Sequence, residues 1–171
     1  MKIYDPYTDT GNTILADGTK LAKEHVLVEA MGTIDETNSF LGIIYAQHID
    51  DDLKEIIDKV QRNLCRINSV LGNAPVSFEQ DQVKSIEKMI QKIEADLPPL
   101  TNFILSGSGF ISAQIQFTRS LVRTAERRVA LLKFENDYIL PFLNRLSDLL
   151  FQMARIVDKR EERPERQWEG K

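Results

Sequence analysis

The sequence predicts an all-α protein: a five-helix antiparallel bundle preceded by an N-terminal loop. Three observations carry that prediction. Apolar residues recur every three or four positions in five segments between Val26 and Lys159. Breaker clusters stand between segments: "APVS" parts the second from the third, "LPPL" ends the third, and "SGSG" precedes the fourth. No stretch alternates apolar and polar residues long enough for a strand of more than a few residues. At 171 residues the chain is long enough to bury a core as one domain, 1–171.

Taken in order, residues 1–24 crowd Asp, Thr, Gly, Asn and Pro ("YDPYTDTGNTILADGTK") without a period, which predicts a loop. Helices are expected at 26–48, 51–73, 78–97, 109–133 and 136–159. On the first, Val28, Met31, Ile34 and Leu41 form the apolar stripe, with Asp35 and Asn38 within or against it. On the fourth, Ile111, Ile115, Thr118, Val122, Ala125, Val129 and Leu132 alternate steps of four and three, a bundle seam. Leu143, Leu146, Leu150, Met153 and Val157 do the same on the fifth. Residues 160–171, charged and interrupted by Pro164, are expected to fray as a flexible tail.

Composition removes several function classes. A net charge of −4 disfavours general nucleic-acid binding. One cysteine, Cys65, excludes an intrachain disulfide, and its helical setting predicts a buried, inert thiol. The N-terminus shows no apolar signal core and the chain no run of 18 apolar residues, so a cytoplasmic protein that neither is secreted nor spans a membrane is expected. His25 and His48 build no zinc spacing, and neither follows a Glu by three as a di-iron bundle requires. The P-loop signature and the Ser-His-Asp and Cys-His arrangements are missing as well.

One polar cluster stands beside the seams. Arg119, Arg123, Glu126 and Arg127 are three or four residues apart and share a face of the fourth helix, next to the core. Asn144 and Asp148 flank the fifth seam in the same way. Two readings fit this spacing. The face is a set of solvated or intersubunit ion pairs, or it is a polyanion site, since guanidinium groups match phosphate oxygens in pairs, with Glu126 and Asp148 orienting the arginines. "TDTGNT" (8–13) offers Gly11 for close backbone approach and hydroxyls toward phosphate, and Lys23 a point charge; each is also ordinary turn or surface chemistry.

Four segments together resemble the cobalamin adenosyltransferases of the propanediol-utilisation (PduO) type. They are "VEAMGTIDETNSFLG" (28–42), "LPPLTNFILSGSG" (97–109), "RSLVRTAERRV" (119–129) and "FLNRLSDLLFQMAR" (142–155), in the family's order and spacing. The resemblance implies a ferritin-like five-helix bundle that assembles as a homotrimer with active sites at subunit interfaces. It implies transfer of the 5′-deoxyadenosyl group of ATP to the Co(I) of a corrinoid, giving adenosylcobalamin and triphosphate. By matching position, Arg123, Glu126, Arg127 and Asn144 contact ATP, with Thr13 and Lys23 on its phosphate side. Arg119, Asp35 and Asp148 organise the interface and its ion pairs, and Arg128 turns to solvent. Phe103 closes over the lower corrin face; Arg123, Phe103 and Asp35 carry the catalytic roles. Mg²⁺ accompanies the triphosphate without a dedicated protein metal site. A corrinoid reductase and an adenosylcobalamin-dependent enzyme are the implied partners.

The chain departs from the family pattern at Asp5, Pro6, Tyr7 and Thr8, where Thr, Lys, Thr and Gly are usual, at Thr124, where an arginine is usual, and at Gln116, where a histidine is usual. "LSGSG" stands in place of a Pro/Gly-rich turn. The altered loop frames the alternative expectation, a non-catalytic ATP- or corrinoid-binding trimeric bundle for regulation or delivery.

Overall fold

Helical periodicity and the caps set the element boundaries in a computed structural model, which describes residues 5–169. Residues 1–4 of the predicted loop and 170–171 of the predicted tail lie outside the described residues. The helices are α1 (Val26–Tyr45), α2 (Asp51–Leu71), α3 (Gln80–Glu94), α4 (Phe110–Leu131) and α5 (Ile139–Arg160). Side chains fix several starts. His25 Nδ1 accepts from the Leu27 N–H at 3.1 Å, opening α1. At α3 the Glu79 N–H donates to Gln82 Oε1 at 2.8 Å, half of a capping box. Asn136 Oδ1 takes the N–H groups of Tyr138 and Ile139, so α5 begins three residues later than periodicity suggests.

Neighbouring helices follow the order α2, α1, α4, α5, α3, with α4 against α5 the most extensive contact. Consecutive and facing partners run antiparallel: Asn68 Nδ2 on α2 donates to Met31 O on α1 (3.1 Å), and Phe40 of α1 meets Phe117 of α4. In contrast, α3 runs in the direction of α5. Phe78 just before α3 packs edge-on against Phe142 early in α5, and Glu94 at its end meets Gln152 (2.7 Å). The 95–109 connection begins and ends beside the C-terminal half of α5, where Arg155 donates to Pro98 O and Arg163 lies against Gly109.

The core is built where the seams meet. Ile115, Val122, Ala125 and Val129 of α4 and Leu143, Leu146, Leu150, Met153 and Val157 of α5 are all buried. Truncating Leu146, which is 0% exposed, to Ala costs ~2–5 kcal/mol by lost burial and cavity formation. On α1 the buried stripe differs from the one read from sequence. It runs through Ala30, Thr33, Ile34, Thr37, Leu41 and Ile44. Two threonines fit it because their hydroxyls donate to the carbonyls of Glu29 (2.9 Å) and Thr33 (2.8 Å) one turn back, leaving no polar group unpaired. That rotation turns Asp35 out to an exposed position, against the stripe beside Val28 and Met31 and not within it. Cys65 is also exposed, not buried, and its Sγ accepts from Asn38 Nδ2 at 3.3 Å.

The N-terminal loop has local order. A 3₁₀ helix (Pro6–Thr10) is capped by Asp5, whose Oδ1 accepts from the Tyr7 N–H at 2.9 Å. Gly11, at φ 78°, turns the chain into β1 (Asn12–Ile14), paired antiparallel with β2 (Lys20–Ala22). The hairpin is moored to the end of α2 by Ala16 N–H to Gly72 O (3.0 Å) and Asn73 Nδ2 to Asp17 (3.0 Å). The expected fraying of the tail is corrected too: β4 (Arg166–Gln167) pairs antiparallel with β3 (Ile104–Leu105). Proline and charge made this segment look like a terminus, but its partner lies some sixty residues away, where no local pattern reports it.

Candidate functional site

Because α3 and α4 both pack on α5 and not on each other, a groove remains between them. The cleft there has a volume of about 880 Å³. Arg119 and Arg123 come from the α4 wall, Glu87 and Gln91 from α3, Asp148 and Phe151 from α5, and Phe103 from the segment that closes one end. Phe103 is 76% exposed, so its ring belongs to the cleft and not to the core.

The arginines of this face lack carboxylate partners. Among the described residues, no ion pair involves Arg119, Arg123 or Arg127. Arg119 Nε donates to the neutral Gln116 Oε1 at 2.8 Å, and its guanidinium lies 6.0 Å from the Phe151 ring centroid. Burial and the neighbouring Arg123 guanidinium pull its pKa down, against the opposing influence of Asp148. Arg127 donates only to Thr124 Oγ1, at 3.1 Å. Guanidinium groups kept this close together without anions raise the local affinity for a polyanion.

Neither Glu126 nor Asp148 forms an ion pair with the arginines of this face among the described residues. Glu126 Oε1 accepts from Asn144 Nδ2 at 3.0 Å, which joins α4 to α5. Asn144 Oδ1 in turn accepts from Arg145 at 2.5 Å. Asp148 is 3.4 Å from Arg145, one turn away on its own helix, which supplies a cation nearer than those across the groove. Arg128, expected to face solvent, instead pairs with Glu29 at 2.6 Å and donates to the Thr33 hydroxyl, tying α4 to α1.

The remaining expected site residues lie elsewhere. Thr13 and Asp35 line a second hollow of about 470 Å³ among the hairpin, α1 and α2, together with Asn68 and Gly72. Lys23 is exposed at the base of the hairpin, its N–H donating to Gly11 O at 2.9 Å. The two hollows share no lining residue. Thus the arginine face and the hairpin group do not meet within one chain.

Two features escaped the sequence reading. Trp168 packs edge-on against Phe103, with centroids 6.1 Å apart; its one signal was a lone tryptophan in a charged tail. The other is an apolar stripe along α4, in which Phe110, Phe117 and Leu131 are 71%, 51% and 73% exposed. Among the described residues no group of three or more His, Cys, Asp or Glu side chains is placed to hold a metal, and no helix is long and apolar enough to cross a membrane.

Residues 3–157 match the family described as Cobalamin adenosyltransferase. The chain is 34% identical over 171 residues to the corrinoid adenosyltransferase of Bacillus subtilis, covering 94% of this chain and 88% of that one. It is 31% identical over 168 residues to the corrinoid adenosyltransferase PduO of Salmonella typhimurium, covering 92% of this chain. It spans 50% of the length of that relative and of its Citrobacter freundii counterpart. Among solved structures, a variant PduO-type ATP:corrinoid adenosyltransferase from Lactobacillus reuteri, complexed with cobalamin and ATP, superposes with a TM-score of 0.91. That likeness is at 27% identity and covers 99% of this chain and 97% of the other.

Proposed function

Since the chain belongs to the cobalamin adenosyltransferase family, we propose that it is an ATP:cob(I)alamin adenosyltransferase. The observation that carries this reading is the face of Arg119, Arg123 and Arg127, left without carboxylates beside a cleft that displays Phe103. In the reaction the cobalt(I) electron pair attacks C5′ of ATP, a cobalt–carbon bond forms, the C5′–O bond breaks, and triphosphate leaves with that bonding pair. The attacking atom belongs to the substrate, so no nucleophilic Ser, Cys or His is needed. The protein's tasks are alignment and leaving-group stabilisation. Arg123 and Arg127 stabilise the triphosphate, and the Glu126–Asn144 pair, rigid across α4 and α5, orients the nucleotide. Phe103 presents an apolar face toward the corrin, displacing its lower ligand.

Thr13 and Lys23 complete the phosphate side from another subunit. Three observations support a homotrimer with interfacial sites. The hairpin group and the arginine face do not meet in one chain. Asp35 is exposed, Arg119 is half-buried, and neither joins an ion pair among the described residues. The α4 stripe of Phe110, Phe117 and Leu131 presents apolar surface that a second copy covers. Asp35 then pairs with Arg119 of the neighbour, and Asp148 borders that contact. Mg²⁺ fits as a companion of the triphosphate, since it keeps waters and binds largely through phosphates and does not need a protein cage. The reaction is placed in the cytoplasm, with a corrinoid reductase upstream and an adenosylcobalamin-dependent enzyme downstream.

Incubation of the purified protein with ATP, Mg²⁺ and chemically reduced cobalamin tests this reading. The expected product is adenosylcobalamin, seen as a light-sensitive visible spectrum. No product, together with no ATP binding by calorimetry, overturns it. ATP binding without turnover selects a binding bundle, a reading favoured by the 3₁₀ helix at Pro6–Thr10, where Pro6 has no amide N–H to offer a phosphate.

A further inference from the structure

The segment after α5 does not leave the bundle. Arg163 N–H donates to Asp158 O at 2.8 Å, and the chain then turns back along the segment that carries Phe103. It pairs there as β4 against β3, and its contacts continue on both sides of that pairing. Trp168 N–H donates to Phe103 O at 2.8 Å, Asn102 Nδ2 to Gln167 Oε1 at 2.9 Å, and Arg166 to Ser106 O at 2.9 Å. A side-chain carbon at Gly109 would lie 3.0 Å from Arg163 Cδ, so the turn into α4 is shaped around this strap.

One buried side chain locks it. Arg155 on α5 has a side chain only 4% exposed. Its Nε donates to Glu165 Oε1 at 2.6 Å on the strap and its Nη2 to Pro98 O at 2.8 Å on the connection leading to Phe103. Nη1 donates to Gln152 Oε1 at 3.2 Å. A planar guanidinium is the side chain that reaches three acceptors in fixed directions. Leaving it without its anion in a buried position is costly, which gives the strap its hold.

We propose that Arg155 and Glu165 are positioning residues for the corrinoid face, acting through the strap to hold Phe103 at the cleft. The inference rests on the proposed role of Phe103 in the adenosyl transfer. Phe103 itself is mostly exposed and has little packing of its own, so its placement comes from the backbone on which Trp168 and β4 are fastened. The strap lies after residue 157, where the family match ends.

The test uses Glu165→Gln, which keeps the shape and removes the charge, in the 171-residue chain. Trp168 is the sole tryptophan and reports on the strap directly, whether or not the protein adenosylates anything. The expected result is emission moved to the red and stronger acrylamide quenching, with unchanged far-UV circular dichroism. KM for the corrinoid rises on the order of tenfold while KM for ATP stays constant. Glu165→Asp restores most of both readouts, and in a Phe103→Ala background Glu165→Gln adds nothing further to the corrinoid KM. Arg155→Lys, which keeps the charge but not the fork, moves the readouts in the same direction and serves if Glu165→Gln folds poorly. Unchanged tryptophan emission overturns the strap, and an equal KM increase with and without Phe103 overturns its action through that ring. A wild-type protein with no adenosylation overturns the proposed function instead, and leaves the emission result standing.

Discussion

The arginines of α4 and α5 sit on adjacent helices of one bundle and follow opposite rules. On α5, Arg145 has Asp148, Arg155 has Glu165, and Arg160 holds both Asp50 and Asp52 at 2.7 and 2.8 Å. On α4, Arg119, Arg123 and Arg127 meet no carboxylate, and two of them spend a donor on a neutral oxygen. Only Arg128, the residue after Arg127 and turned to the α1 side, pairs as the α5 arginines do, with Glu29. A guanidinium matched inside the chain fastens elements together. One left unmatched, held among others of its sign, costs the fold something and marks where an external anion supplies the missing charge.

The largest expected effect breaks that comparison on the unmatched side. Arg123→Ala lowers kcat for adenosyl transfer by about 10²–10³-fold, the scale of losing one transition-state donor, while far-UV circular dichroism and urea midpoint stay near wild type. Steady-state kinetics beside a denaturation curve reads both, and a loss of stability without a loss of rate refutes the division. Next in size is Asp35→Asn, expected to weaken assembly by on the order of tenfold or more in concentration, seen by analytical ultracentrifugation. An assembly as tight as wild type would remove Asp35 from the proposed interface.

On the matched side, Arg160→Ala costs about 1 kcal/mol by urea unfolding with activity retained, since the pair is partly exposed and screened. The hydrogen bond from Arg160 holds the Asp52 carboxyl below the usual carboxylate range. The stability it brings is therefore present above the ordinary Asp pKa and is lost as pH falls through the lowered folded value, so wild type and variant converge in acid. The smallest effect has the reverse sign. Burial pushes the Asp158 carboxyl up, and its Oδ1 has no hydrogen-bond partner. A raised carboxyl favours the fold only below the ordinary Asp pKa, and that advantage goes as pH rises through the folded value. Asp158→Asn should thus melt above wild type at pH 7, with the gap closing toward about pH 4; a lower melting point at neutral pH contradicts this.

Much of this is legible in the residue order. The α4 and α5 seams and the shared face of Arg119, Arg123 and Arg127 follow from spacing along one helix, a purely local geometry. Where the reading missed, a residue's partner lay on another element or a local competitor intervened. Asp148 took Arg145 on its own helix, and Arg128 found Glu29 some hundred positions away. Thr33 and Thr37 hid as polar letters in a buried stripe because their hydroxyls close on their own helix, which moved Asp35 outward.

Residue order alone specifies the five helices, their apolar seams and which arginines share a face, because periods of three and four residues are enforced by the backbone turn. Packing in three dimensions sets which of those arginines keep a carboxylate, that α3 and α4 both lie on α5 so that a groove opens between them, and that the charged tail folds back onto Phe103. Those outcomes depend on contacts between segments as far apart as Arg166 and Ser106. Such contacts are settled by three-dimensional proximity and by the cost of burying an unmatched charge, and neither leaves a periodic trace in the chain.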